Sequence, residues 1–173
     1  MRDIHAVLGD ALQLVEDAGI STGTILGISV NKRLSRAWGQ CRTTRKAYGE
    51  MTHQIEIQPF LLDERVPEKT LMEVIIHEIL HTCEGCQNHG REWKRLAGRI
   101  NRKYGYSVER IVTKEAHESV QGIRPDRVES VNYMIKCKSC GHVFKRSKAS
   151  NFVKNPSMFR CGGCGANNWE RLL

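Results

Sequence analysis

The sequence predicts an α+β fold: a compact body of helices with a small antiparallel sheet over residues 1–130, followed by a small four-cysteine zinc ribbon over residues 131–173. Three observations predict it. Apolar residues recur at helical spacing in three stretches and at strand spacing in the interval between the first two. Two CxxC pairs lie close together near the C-terminal end. The 173 residues, 40% of them hydrophobic, suffice for one real core plus a minor module and argue against disorder.

The chain opens on an amphipathic pattern of Ile4, Val7, Leu8, Leu12, Leu14 and Val15 that stops near Gly19, which predicts a core-packing helix. "GTILGISVN" and "MTHQIEIQPFL" predict strands, the second placing Met51, His53, Ile55 and Ile57 on one side. Between them, "RAWGQCRTTRKAYGE" predicts a strand and a turn. Pro67 followed by "EKTLMEVIIHEILHTCEG" predicts a helix with proline near its first turn and an end around Gly85. A third helix is predicted from Arg91 to Lys103. Residues 105–130 are mixed and polar, with "GIRPDR" as a linker, and the cysteine-rich tail begins near Tyr133.

Composition removes several function classes. No apolar run approaches the ~18 residues needed to cross a bilayer, so no membrane partner is expected. The first twenty residues carry Asp3, Asp10, Glu16 and Asp17 and no small-residue cleavage site, which predicts an unexported, cytoplasmic or nuclear or nucleoid-associated protein. In such a compartment seven cysteines argue for metal rather than disulfides.

The densest chemistry lies in "LMEVIIHEILHTCEGCQNHGREW", residues 71–93. His77 and His81 are four apart, so on a helix they share a face about 6 Å apart along the axis and can bind one zinc ion. Glu78 follows the first of them, the H-E-x-x-H order in which a carboxylate can hold and deprotonate a water on the metal. A catalytic zinc needs a third protein ligand. His89 is one choice, since a short turn past Gly85 can swing "NHG" back to the metal, with Gly90 allowing tight backbone there. Glu92, on the following helix, is the competitor. An H-x-x-G-x-x-H extension would need histidine where Gln87 stands, which disfavours the metzincin class.

The pattern "HEILH…HGREW" resembles the H-E-x-x-H…H-G-x-x-[F/W] signature of the SprT-like metalloproteases, the family that includes Spartan. The upstream "RAWGQCR" and the strand "QIEIQPFLL" are similar to that family's run into its active site, and the resemblance covers about residues 25–104. It implies a compact zincin-like protease domain, zinc on His77, His81 and His89, and Glu78 as catalytic base. For Spartan-type members it further implies DNA-activated cleavage of proteins crosslinked to DNA. "CEGC" departs from the pattern. Cys83 and Cys86 can pair, capture zinc or simply pack as small apolar residues, and packing is the expectation. Cys41 is expected in the core beside Trp38, and His5, His53 and His117 as ordinary surface or core histidines. Tyr104 and Tyr106 are weak candidates for stabilising an oxyanion.

In the tail, Cys137 and Cys140 of "CKSC" and Cys161 and Cys164 of "CGGC" are twenty residues apart, each pair followed by glycine as a zinc knuckle prefers. Four thiolates close the coordination sphere, so this second zinc is expected to be structural and to fold the module. Phe144, Phe152, Phe159 and Trp169 are its expected core.

The charge of +8 is uneven. From residue 131 onward, eight Lys or Arg face the single Glu170, a net of +7, although the metal site itself carries about −2. Lys32, Arg33, Arg36, Arg42, Arg45 and Lys46 form a second basic stretch. Both predict a polyanionic partner, DNA, beside a protein substrate. Two function classes follow: a zinc endopeptidase brought to nucleic acid by these patches, and a zinc-ribbon binding or adaptor protein with a catalytically silent H-E-x-x-H helix. Glu78 speaks for the first, because a purely structural site has no use for that carboxylate.

Overall fold

A computed structural model describes residues 2–34, 36–124 and 131–173. The chain divides into two compact units, Met1–Asp126 and Arg127–Leu173.

In the first unit, helix α1 (Ile4–Asp17) begins where the Asp3 carboxylate accepts the N–H groups of His5 and Ala6, a cap worth about 1 kcal/mol. Its last carbonyls are met by cations: Lys103 Nζ donates to Asp17 O, and Arg99 Nη1 donates to the carbonyls of Ala18 and Gly19. Strands β1 (Thr24–Val30), β2 (Gly39–Arg45) and β3 (Met51–Ile57) form a sheet in the order β1-β3-β2. This sheet is mixed, where an antiparallel one is expected: β3 pairs antiparallel with β2 but parallel with β1. Burial of Thr52, His53, Ile55, Glu56 and Ile57 suits β3 to the central position, and the connection from β1 to β3, which contains β2, is long enough to bring the chain back in the same direction as a parallel pair requires. Alternation along β1 reports its buried face and carries no information about its direction.

Helix α2 (Glu68–Leu80) occupies the centre. Leu71, Met72, Val74, Ile75, Ile76, Ile79 and Leu80 are buried around its whole circumference, as an all-round apolar sequence requires. It packs against α1, β2 and β3. Pro67 is its N-cap, and the helix ends at Leu80, before the Gly85 at which its pattern predicts an end. Helix α3 (Arg91–Tyr104) is strongly amphipathic and buries Trp93, Leu96, Ala97 and Ile100 at i, i+3, i+4 and i+7.

Residues 105–124 differ from the polar connector that their composition suggests. Val108 is buried, a short helix α4 (Lys114–Ser119) forms, and Val120 and Ile123 pack on the core. Of the expected linker "GIRPDR", Gly122 to Arg124 thus belong to the first unit, and the remainder lies outside the described residues.

The second unit is a three-stranded antiparallel sheet, β4 (Tyr133–Cys137), β5 (Val143–Arg146) and β6 (Trp169–Arg171), in the order β5-β4-β6 with one helical turn, α5 (Asn151–Lys154). Phe144 contacts Phe152 and Trp169 edge-on, and Phe152 contacts Phe159 in the same way. These rings form the expected cluster, although Phe159 is 39% exposed.

Candidate metal centre and cleft

The burial of α2 determines where its polar residues can point. His77 and His81 emerge from the same face of its last turn, and the tight turn through residues 82–90 brings His89 back to them. The three Nε2 atoms form a triangle with sides of 3.3 Å (His77 to His81), 3.2 Å (His81 to His89) and 2.9 Å (His77 to His89).

Two main-chain carbonyls fix the tautomers. His77 Nδ1 lies 2.9 Å from Glu109 O, and His81 Nδ1 lies 2.8 Å from Cys86 O. A carbonyl can only accept, so each Nδ1 carries the hydrogen and each Nε2 presents a lone pair. Two lone pairs facing each other across 3.3 Å repel unless a cation lies between them. Two corners of a tetrahedron with arms of about 2.05 Å, the usual zinc–nitrogen length, are about 3.3 Å apart. The observed triangle is within a few tenths of an ångström of that, so the three histidines could hold a metal ion. Burial, then the neighbouring rings of His81 and His89, push the His77 imidazole down to about 4, which keeps it neutral as a ligand must be. His89 is lowered by burial, by His81 and by the charge of Arg110.

Glu92 does not join them. Its carboxylate is held by Arg95 in a two-pronged pair of 2.5 and 3.0 Å. Trp93, one residue on, is fully buried and packs its ring against all three histidines, with centroids 4.7 to 5.9 Å away.

Glu78 is buried at 7% exposure between α2 and the start of β2. Burial raises its carboxyl to about 8, opposed by the N–H of Cys41. A cation on the three rings would draw it back down. The close approach depends on Gly39: a Cβ there would sit 2.9 Å from Glu78 Oε1 and 2.8 Å from its Cγ. The sequence contains "WG" but no indication of what the glycine faces.

A cleft of about 300 Å³ opens over His77 and Glu78. Residues 36–39 line it, as do residues 107–113 and residues of α4. The 107–109 stretch is tied down at four points. Ser107 N–H donates to Glu73 Oε1 (2.7 Å), Val108 N–H to Asn101 Oδ1 (2.8 Å) and Asn101 Nδ2 to Val108 O (3.1 Å), and Glu109 O accepts from His77. This lining is the part of the site that sequence reasoning missed, since nothing in "SVERIVT" marks it. His117, expected to be unremarkable, packs its ring edge-on against Trp38 and lines the same cleft. Tyr104 and Tyr106 do not line it. They border a separate depression with Glu68, Lys69 and Met72.

The other cysteines and histidines have simpler roles. Cys83 and Cys86 are buried free thiols, as packing predicts. Cys41 has His53 Nδ1 at 3.7 Å rather than Trp38 as its notable neighbour. His53 itself is buried, 3.0 Å from Thr43 Oγ1.

In the second unit, Cys137, Cys140, Cys161 and Cys164 converge as a second cluster that could hold a metal ion. Cys137 Sγ is 3.6 Å from Cys164 Sγ, and Cys140 Sγ is 3.6 Å from Cys161 Sγ. A tetrahedral zinc with arms of about 2.3 Å requires about 3.8 Å. Gly141 and Gly165, at φ of 75° and 73°, supply the left-handed residue that closes each knuckle.

The family model described as the SprT-like family matches residues 12–117, more than half of the chain and the whole of the histidine site. The chain belongs to the SprT-like family. A "Protein SprT-like" of Streptococcus thermophilus is 26% identical over 140 residues, covering 78% of this chain and 76% of the relative. Another, from Staphylococcus carnosus, is 28% identical over 128 residues, covering 71% and 72%. Among the described residues, no helix is long and apolar enough to cross a membrane.

The histidine triangle leads to a first prediction. His89→Ala should strip metal from the first unit, while Glu92→Ala should leave its content unchanged, because only the histidine faces the other two rings. Metal analysis of the two variants checks it, and a greater loss with Glu92→Ala would refute the ligand set.

Proposed function

We propose that this SprT-like protein is a zinc-dependent endopeptidase that acts on proteins at nucleic acid, DNA-bound or DNA-crosslinked proteins among them. The observation that carries this reading is the juxtaposition, in one cleft, of a tetrahedral-sized nitrogen triangle with a buried carboxylate that has the Cys41 N–H beside it and no cationic side chain paired with it among the described residues. His77, His81 and His89 would hold the catalytic zinc. Zinc there supplies Lewis acidity toward a peptide carbonyl and toward water.

The chain's own residues do the rest. Glu78 accepts the proton of the attacking water and returns it to the leaving amine, one carboxylate acting as base and then as acid. Gly39 and the Cys41 N–H set its position. Trp93 buttresses the three rings, and the carbonyls of Glu109 and Cys86 orient two of them. Cys137, Cys140, Cys161 and Cys164 would hold a structural zinc.

Charge supports the nucleic-acid part. Among the described residues, Lys32, Arg33, Arg36 and Arg45 have no carboxylate partner, whereas Arg42 is engaged by Glu56 and Lys46 by Glu50. None of the eight cations from residue 131 onward is paired with an acid among those residues either.

Cleavage of casein or histone, with and without DNA, tests the reading. Glu78→Gln should keep metal and fold yet lose activity by several orders of magnitude; cleavage at near wild-type rate would refute it. Gly39→Ala should lower kcat at unchanged metal content, since the added methyl displaces the carboxylate and none of the three rings.

Removal of residues 131–173 takes away the net +7 and the four cysteines but leaves the histidine site. DNA affinity should fall and its salt dependence become shallower, while basal cleavage of a flexible substrate persists. Titrations at two salt concentrations check this. Unchanged affinity would reduce the tail's charge to a solvated face.

A further inference from the structure

We propose that Arg110 is a catalytic residue that stabilises the negative charge developing on the scissile carbonyl oxygen. This rests on the metallopeptidase reading above. In that reaction a water oxygen bonds to the carbonyl carbon, the C=O π pair moves onto oxygen, and Glu78 takes the water's proton. When the C–N bond breaks, the pair returns to the carbonyl and the amine leaves with the proton from Glu78. One group therefore serves the water, and a different one must serve the oxyanion.

The carboxylate lies on the β2 side of the cleft, packed against Gly39. Arg110 comes from the other lining segment, residues 107–113. Its backbone position is fixed by the residue before it, whose carbonyl accepts the His77 Nδ1–H at 2.9 Å, and by the hydrogen bonds of Ser107 and Val108. The side chain is exposed, lines the cleft over His77 and Glu78, and has no carboxylate partner among the described residues. Its charge bears on His89, so the cation lies near the triangle.

Arg36 also lines the cleft without a carboxylate partner among the described residues. It belongs, however, to the 36–39 stretch on the Gly39 side, where Glu78 already serves the water, whereas Arg110 stands on the opposite lining segment. The remaining cation and the remaining imidazole are engaged. Arg124 stacks on Trp38 and Phe60, with the guanidinium 5.7 and 6.0 Å from the ring centroids. His117 packs edge-on against the same Trp38. A guanidinium is always charged and offers a planar fork of donors, so it can serve an oxyanion without first gaining a proton.

The test uses the full metal-loaded chain and the variants Arg110→Met and Arg110→Lys. Metal content should equal the wild type, because the Glu109 carbonyl is untouched. Arg110→Met should lower kcat by about 100- to 1,000-fold, the usual effect of removing one oxyanion donor, with KM within about threefold. Arg110→Lys should recover part of the loss, as should added guanidinium ions in Arg110→Ala.

A readout independent of turnover is the affinity for a phosphinic peptide, whose tetrahedral anionic centre mimics the charged state. Calorimetry should show it falling in Arg110→Met by the same factor as kcat/KM. Binding of the intact peptide substrate to Glu78→Gln should not change when Arg110→Met is added. Unchanged kcat overturns the proposal, and so does a loss confined to KM or a loss of metal. If the wild-type protein cleaves nothing, the metallopeptidase reading itself fails and the role of Arg110 with it.

Discussion

The hydrogen bond from His77 Nδ1 to the Glu109 carbonyl, 2.9 Å long, joins the last turn of α2 to the segment that follows α3. It does two things at once. It selects the tautomer whose Nε2 lone pair faces His81 and His89, and it holds the 107–110 stretch against the cleft. The corresponding bond from His81 to Cys86 O selects the second lone pair and pins the turn that carries His89. Each bond is ordinary in strength, worth about 1 kcal/mol net, yet the direction of a ligand orbital depends on it. Without these carbonyls the rings could rotate or exchange tautomers, and the triangle would lose its common focus.

Burial of α2 supplies the second constraint. A helix apolar on every side leaves its few polar groups almost no freedom, so Glu78 must find its partners within the core or in the cleft. At 7% exposure its carboxyl is raised to about 8 by burial, and the Cys41 N–H offsets only part of this. A cation nearby favours the ionised form that a base requires. The arrangement is costly in isolation and makes sense as part of a site that holds positive charge. Gly39 completes it by letting a strand approach closer than any side chain permits.

Much of this was legible in the sequence, and the pattern of success is physical. Helical spacing put His77 and His81 on one face because i, i+4 geometry is local, and four cysteines in two knuckles implied their own convergence. The third histidine is open to competition from Glu92, since a nine-residue turn has no periodicity to read, and the Arg95 pair that engages Glu92 is a matter of side-chain geometry. The direction of β1 was not encoded in its alternation. The lining at 107–113 reads as polar connector, because its four tethers are hydrogen bonds to α2 and α3 made by residues that are individually unremarkable. Glycine at position 39 and arginine at position 110 share this character: each matters for what it faces, which sequence spacing does not report.

The two cysteines beside the site show why proximity alone does not make a ligand. Cys83 and Cys86 follow His81 by two and five residues, and thiolates would compete well for a zinc ion. Both side chains are buried, at 3% and 0% exposure, and burial pushes the Cys83 thiol up to about 12 and raises that of Cys86 as well. A protonated thiol is a poor ligand, and neither residue falls in the histidine cluster. What Cys86 gives the site is its carbonyl, which any residue could supply, while its side chain fills core. The tail cysteines differ in arrangement: Cys137 and Cys161 are buried, Cys140 and Cys164 are exposed, and each buried sulfur meets an exposed one of the other pair at the near-tetrahedral spacing of 3.6 Å. The same residue type in the same CxxC spacing therefore packs the core in one unit and builds a metal-sized cage in the other, and the convergence of a second CxxC pair, present only in the tail, decides which.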